Sequence, residues 1–417
     1  MSELAGRQMA PLVRRVRVQG FKSLVDVTLD LGVLNVFIGA NGSGKSNLLE
    51  ALGVLGAGAF GSVEPETLRY RGVRLGLPKL YKSSFSDLKI RRLITLEAGD
   101  PEGGPFYRLG LDNPIDVPFV KWKIASENLQ ESPGKSLITR SRRACKLHRR
   151  IGSDNIDISD SETAARFGVI ARPELTAAAD LIDALGKYAI YSPSTPVLRG
   201  LEKDVARPPL GLGGSQLPEC VRSLVITRSE TFGTVDLDDL WELIDWAEDL
   251  AVVPPDRAGL APGVMSSPLV VRFRDRFMRD QRNTLSAYDA SEGALYVLFA
   301  LALITHAETP RLLALDNFDQ TLHPRLAAAL TRLVSETLIK QGRRQVLMTI
   351  HNPLVLDGLD LADDRVRLFA VDRGRGGPTR VRRVQLSPEL LDMARQERLS
   401  LSRLWVMGRI GGVPEGI

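Results

Sequence analysis

The chain opens on alternation. In VRRVRVQGFKSL and VDVTLDLGVLNVFIG apolar and polar residues take turns, then merge into a short apolar run. That is the pattern of half-buried strands followed by a fully buried one, and LNVFIG is expected to be a parallel strand covered on both faces. Leu48, Leu49, Leu52 and Leu55 then fall at helical spacing. The Gly-rich stretch after them, GVLGAGAFGS, is expected to end that helix or loosen it. LKIRRLITLEAG and PFYRLGLDN predict an antiparallel hairpin around GDPEGG.

From about Lys121 to Val264 the pattern turns helical, as in ARPELTAAADLIDALGKYA and VDLDDLWELIDWAEDLAVV, the second with Asp236 in position to cap it. RPPLGLGGSQLPE between them reads as a Pro/Gly-rich loop. From about Ser266 strands and helices alternate again: PLVVRFRDRF, GALYVLFALALITHA, RLLALD, PRLAAALTRLVSETLI and RQVLMTIH, then a terminal hairpin from VRLFAVDRG and RVRRVQL. Residues 1–120 and 265–417 are therefore expected to form one α/β domain, and residues 121–264 a helical insertion. The predicted fold class is α/β, a mostly parallel sheet with antiparallel hairpins.

Composition agrees. The 417 residues allow two or three structural units at roughly 150 residues each. With 44% apolar and 25% charged residues the chain is globular. No apolar run approaches the roughly 18 residues of a membrane span, and the start lacks the apolar core of a secretory signal. Cys145 and Cys220 are the only cysteines and show no metal-ligand spacing, so a reducing cytoplasm is expected and no disulfide framework. The net charge of +5 is compatible with an anionic partner.

Gly39, Ala40, Asn41, Gly42, Ser43, Gly44, Lys45 and Ser46 fit G-x-x-x-x-G-K-[ST] in full. The glycines let the backbone bend so that its N–H groups converge on phosphates. Lys45 is expected to reach the β- and γ-phosphates, and Ser46 to offer its hydroxyl to Mg²⁺. The helix that begins near Lys45 and carries Asn47 adds the positive end of its dipole. A Gly-rich turn arising by chance lacks the buried strand before and the amphipathic helix after. Residues 39–47 are thus expected to hold ATP with Mg²⁺.

RLLALDNFDQTLHP places Asp316 at the C-terminal end of an apolar strand, where ligands sit in open α/β sheets. Asp316 is expected to hold Mg²⁺ through water; otherwise it caps a turn. SAYDASEGALYVLFAL puts Ser291, Glu292 and Gly293 just before an apolar helix, which makes either an anion site or a helix cap. QVLMTIHNP puts His351 at the end of a buried strand, where an imidazole can hydrogen-bond the γ-phosphate or the attacking water. His323, in the LHP turn, reads as structural or as an interface residue.

In this order, FKSLVDVTLDLGVLNVFIGANGSGKSNLLEAL, SEGALYVLFALALI, LLALDNFDQTLHP and TIHNP resemble the RecF/OLD-type branch of the ABC ATPases, related to the SMC heads. YSPS (Tyr191–Ser194) and the GGSQLPE loop look like spacer features of that branch. The resemblance covers both ends of the chain and little of the middle. It implies a P-loop NTPase of ABC/SMC-head type that forms a homodimer on ATP, or a higher oligomer. Two nucleotides would lie between Gly39–Ser46 of one subunit and Ser291–Gly293 of the other. Members often work with a second protein, in DNA repair or bacterial anti-phage defence, so a separate effector is implied. OLD-type nucleases carry a metal-dependent domain after the ATPase; no second set of clustered carboxylates follows here, and no nuclease is expected.

The catalytic set implied by the resemblance is Lys45, Asp316, His351 and the position after Asp316. There the family usually has Glu, and this chain has Asn317; Phe318 replaces the Pro that often follows, and no Q-loop glutamine stands out. Asparagine cannot take a proton, and general-base help is worth roughly 10²–10⁴-fold. Slow hydrolysis is expected, with Asp319 the nearest carboxylate that could substitute. Three readings follow: a slowly hydrolysing regulator of a separate defence effector, a nucleotide-binding scaffold with negligible hydrolysis, or a RecF-like DNA repair ATPase. A small-molecule kinase leaves Ser291–Gly293 and His351 unexplained, and no N-K-x-D guanine signature is present.

KSLITRSRRACKLHRRI carries Lys135, Arg140, Arg142, Arg143, Lys146, Arg149 and Arg150 without an acid. As a helix it would align Arg142, Lys146, Arg149 and Arg150 on one face, opposite Ala144, Leu147 and Ile151. Such a stripe fits nucleic-acid backbone, an acidic partner protein, or a solvated face. No aromatic residue interrupts it, which argues against stacking on single strands.

Overall fold

The computed structural model describes residues 12–117, 120–148, 152–170, 176–227, 230–261, 263–264, 267–385, 397 and 399–410. β1 (Arg15–Phe21) and β2 (Leu24–Asp30) pair as an antiparallel hairpin, and β3 (Leu34–Ile38) leaves them for a second sheet. The hairpin joins β4 (Ile94–Gly99), β5 (Phe106–Asp112), β6 (Lys123–Ser132), β7 (Lys135–Arg140), β8 (Cys145–His148) and β9 (Ser153–Ile156) in an eight-stranded antiparallel sheet, ordered β2-β1-β4-β5-β6-β7-β8-β9. The hairpin predicted around GDPEGG is β4–β5.

The second sheet carries the parallel core. Its order is β10 (Ile190–Tyr191), β16 (Leu312–Leu315), β17 (Gln345–Thr349), β3, β18 (Val366–Arg373) and β19 (Thr379–Val384). All neighbours are parallel except the terminal β18–β19 hairpin. β3 is buried at every position, as a central parallel strand must be. Two smaller pairings complete the chain: β11 (Thr231–Phe232) with β12 (Val235–Asp236), and β13 (Ala247–Val253) with β14 (Val270–Asp275) and β15 (Thr284–Ser286).

Successive strand side chains point to opposite faces, and here each face has its own core. Phe37, Leu312, Ala314 and Leu347 pack with α1 (Lys45–Phe60), α2 (Pro65–Arg69), α3 (Ala165–Ile170), α4 (Thr176–Lys187) and the eight-stranded sheet. Val36, Ile38, Leu313, Leu315, Val346 and Met348 pack on the other side. That side holds α5 (Thr195–Leu198), α6 (Leu217–Thr227), α7 (Leu237–Leu243), α8 (Glu292–Thr305) and α9 (Pro324–Gln341). No helix among the described residues is long and apolar enough to cross a membrane.

Three local expectations need correction. First, GVLGAGAFGS does not end its helix; α1 runs through it to Phe60, and Gly61 at φ 152° closes it. The glycines serve close packing. A Cβ on Gly56 would meet Leu185 O at 2.4 Å, and one on Gly58 would meet Leu109 Cδ2 at 2.3 Å. Each glycine costs about 1 kcal/mol of helix propensity, and the approach of α4 and β5 offsets it.

Second, β6 to β9 are strands where a helical pattern was expected. The alternation in KSLITR and CKLH has period two: Ile138, Cys145 and Leu147 are buried while Thr139 and Lys146 are exposed. The basic cluster is therefore dispersed. Arg140 turns inward, is 8% exposed, and donates to the carbonyls of Ser159 and Glu162. Arg142 donates to Asp112 at 2.9 Å. Lys135, Arg143 and Lys146 are exposed, and Arg149 and Arg150 lie outside the described residues. Among the described residues of this segment no amphipathic helical stripe forms.

Third, VDLDDLWELIDWAEDLAVV is helical only to Leu243; Ala247–Val253 is β13, paired with β14 from Ala247↔Asp275 to Val253↔Val270. Asp236 occupies the N-cap of α7 without a side-chain cap bond.

Candidate functional site

The parallel order brings the C-terminal ends of β3, β16 and β17 to one edge, where open α/β sheets bind ligands. The loop Gly39–Gly44 joins β3 to α1. Gly39 (φ 154°), Gly42 (φ 75°) and Gly44 (φ 113°) adopt backbone that disfavours side chains. A Cβ on Gly39 would strike Val371 O at 2.1 Å, and one on Gly44 would strike Thr379 Oγ1 at 2.2 Å. Lys45 Nζ donates to Gly39 O at 2.6 Å and Ala40 O at 3.2 Å. Burial pulls its pKa down to about 8, against the pull of Asp316 and Asp319. A buried ammonium resting on carbonyls, and a buried Ser43 Oγ with no protein partner, fit a polyanion in the loop.

Asp316 ends β16 and meets two hydroxyls. Ser46 Oγ donates to Asp316 Oδ1 at 3.2 Å, and Thr349 Oγ1 donates to the same oxygen at 2.5 Å. Ser46 and Asp316 are the oxygen ligands that Mg²⁺ takes, and they would hold it here. Such an ion, when bound, neutralises phosphate charge.

The position after Asp316 takes left-handed backbone, which asparagine tolerates. Asn317 has φ 56°, its N–H donates to Thr349 Oγ1 at 2.9 Å, and its Oδ1 lies 3.1 Å from His351 Nε2. Burial, then the nearby Lys45 ammonium, lowers the His351 pKa. Asp319 is 6% exposed. Its Oδ2 accepts the backbone N–H groups of His351, at 2.7 Å, and of Asn352. Through that oxygen the side chain holds the histidine loop.

Ser291, Glu292 and Gly293 open α8, which is buried from Ala294 to Thr305. Ser291 is exposed and caps the helix, accepting from Ala294 N–H at 3.3 Å. The plainer cap reading therefore holds in the single chain, and the helix start faces outward. His323 likewise caps α9 through Arg325 N–H at 3.4 Å. YSPS and the GGSQ loop touch: Ser192 N–H donates to Leu212 O and Ser194 N–H to Gly213 O.

Two family models match. One, "AAA ATPase domain", matches residues 12–74, the stretch from β1 through the P-loop. The other, "AAA domain, putative AbiEii toxin, Type IV TA system", matches residues 222–357, which contain Ser291, Asp316 and His351. These two stretches are similar to AAA ATPase domains. Among curated proteins the chain has no match. Solved structures similar to the chain include an Smc head bound to the C-winged helix domain of ScpA (13% identity, 90% of this chain and 99% of that one, TM-score 0.49). The SMC head domain from Thermotoga maritima is another (15%, 89% and 99%, 0.43). A third is the Smc head with an extended coiled coil, bound to the C-terminal domain of ScpA derived from Pyrococcus furiosus (11%, 93% and 99%, 0.48).

Sequence reasoning missed four residues of this site: Thr349, Thr379, Ser23 and Arg373. Thr349, two residues before His351, bridges Asp316 and Asn317; a hydroxyl at the end of a buried strand was the signal. Thr379 Oγ1 lies 2.7 Å from both Ser43 O and Ser23 Oγ, and Asn47 Nδ2 donates to Ser23 Oγ at 2.8 Å. Arg373 Nε donates to Gly42 O at 2.9 Å. The Thr379 and Arg373 contacts span more than 300 positions of sequence, and no local pattern foretells them.

Proposed function

We propose that this ATPase is an ATP-switched regulator that hydrolyses slowly. Two copies close on two nucleotides, with Ser291–Gly293 of one chain reaching the γ-phosphate held at Gly39–Ser46 of the other. The outward-facing start of α8 supports that use in trans. The closed dimer signals to a separate effector in bacterial anti-phage defence, a reading supported by the AbiEii description of the matched domain.

The observation that carries slow turnover is the Asn317–Asp319 arrangement. Asn317 offers no base, and one Asp319 oxygen, Oδ2, is taken by two backbone amides. The scaffold reading, with negligible hydrolysis, draws on the same geometry. Steady-state phosphate release from wild type and Asn317→Glu separates them. A slow regulator gives measurable wild-type turnover that the Glu raises by at least about 100-fold. Wild-type turnover at background, with a Glu variant that gains it, supports the scaffold. Brisk wild-type turnover that the Glu leaves unchanged removes both.

A further inference from the structure

The β14–β15 hairpin ends in a tip where every residue from Arg276 to Arg282 is exposed. Phe277 is 73% exposed and Met278 48%. The tip is held by backbone hydrogen bonds within itself and to Trp246. Asp275 N–H donates to Asn283 O at 2.7 Å, Arg276 N–H to Trp246 O at 3.0 Å, and Arg282 N–H to Arg279 O at 2.7 Å. Asp275 Oδ1 accepts Phe277 N–H at 2.8 Å and Met278 N–H at 3.2 Å. Beneath it, Trp246 packs on Phe273 at 5.3 Å between ring centroids.

The chemistry presented is one-sided. Residues 276–282 carry Arg276, Arg279 and Arg282 against a single acid, Asp280. Among the described residues no carboxylate forms an ion pair with any of the three. The Arg276 guanidinium lies 4.7 Å from the Phe277 ring centroid. Arg272 and Arg274 continue the same strand face by alternation, although Arg274 is paired with Glu248 and Asp249. An exposed ring beside free guanidinium groups, held on a rigid turn, combines a stacking platform with phosphate contacts. A duplex keeps its bases stacked and could use only the charges. Asp280 and Gln281 at the extremity oppose burial in lipid.

We propose that this tip binds single-stranded nucleic acid, with a base stacked on Phe277 and backbone phosphates on Arg276, Arg279 and Arg282. The test is fluorescence anisotropy of the full chain with labelled oligo-dT, oligo-U and a duplex. The variants are Phe277→Ala, Phe277→Trp and the combined Arg276→Glu, Arg279→Glu, Arg282→Glu; unchanged thermal midpoints confirm that each folds. Single strands are expected to bind with a log–log salt slope of about −2, from roughly 0.7 per phosphate over three contacts. Phe277→Ala weakens them about tenfold and spares the duplex, Phe277→Trp restores them, and the triple variant abolishes binding. Absence of single-strand binding by wild type overturns the proposal. So does binding that the variants leave intact. Loss confined to anionic phosphatidylserine vesicles, or to ATP-dependent dimerisation, overturns it in favour of a membrane or subunit contact.

Discussion

His351 Nε2 and Asn317 Oδ1 lie 3.1 Å apart, and a carbonyl oxygen can only accept, so the ring carries its proton on Nε2. Burial, then the Lys45 ammonium, lowers the pKa of the imidazole. The pair links the ends of β16 and β17, and Thr349 makes the same link one layer deeper.

Thr349→Val tests that deeper link. Valine keeps the strand but removes a hydroxyl that donates to Asp316 and accepts from Asn317 N–H. An unpaired part-buried amide costs about 1–3 kcal/mol, and Asp316 loses its alignment toward Ser46. Calorimetric titration is expected to show ATP binding in Mg²⁺ about tenfold weaker, a loss of about 1.4 kcal/mol. Binding in EDTA should change little.

Asp319 is predicted to position the histidine loop. Asp319→Asn keeps an acceptor for the two amides and Asp319→Ala keeps none, so the alanine should lower the melting temperature more. Turnover should fall in both while the acidic limb of the pH–rate profile persists in the Asn variant. Disappearance of that limb, with equal loss in both variants, would mark Asp319 as the base instead.

Lys45 gives a pH dependence. Its pKa of about 8 without nucleotide lies below the ordinary lysine value because burial disfavours the charge. A triphosphate favours the ammonium, so binding above pH 8 must take up a proton. ATP affinity should be flat below pH 8 and fall by up to about tenfold per pH unit above it. Calorimetry in buffers of different ionisation heat measures the proton uptake. As to stability, the lowered pKa means that the folded chain holds fewer protons than the unfolded one between about 8 and the ordinary lysine value. Lys45 therefore adds stability as pH rises through that window.

The α1 glycines predict an order of damage. Alanine gains about 1 kcal/mol of propensity at either site, but Gly56→Ala meets the Leu185 carbonyl and Gly58→Ala only the end of the Leu109 side chain. Overpacking costs about 1–3 kcal/mol. Urea denaturation should place Gly56→Ala lowest, with Gly58→Ala between it and wild type.

Much of the centre was legible because its signals are local. The apolar run before Gly39 and the helical leucines after Ser46 foretold β3 and α1, and RLLALD and QVLMTIH foretold β16 and β17. The middle failed where tertiary pairing overrides propensity. KSLITRSRRACKLHRRI suits a helix by charge spacing, yet β6 offers a free edge and the chain extends the sheet. Likewise EDLAVV is strand only because β14 lies opposite. Asp319 was read from its charge and nearness to Asp316; that it serves the histidine backbone depends on a fold in which residues over 30 apart meet.

A chain of this length commonly unfolds piecewise. Here β3, β16 and β17 send alternate side chains into two separate interiors, so neither interior can open without stripping the wall of the other. Heat or denaturant should therefore abolish nucleotide binding in the same cooperative event that dissolves the rest of the molecule, with no surviving half able to hold phosphate alone.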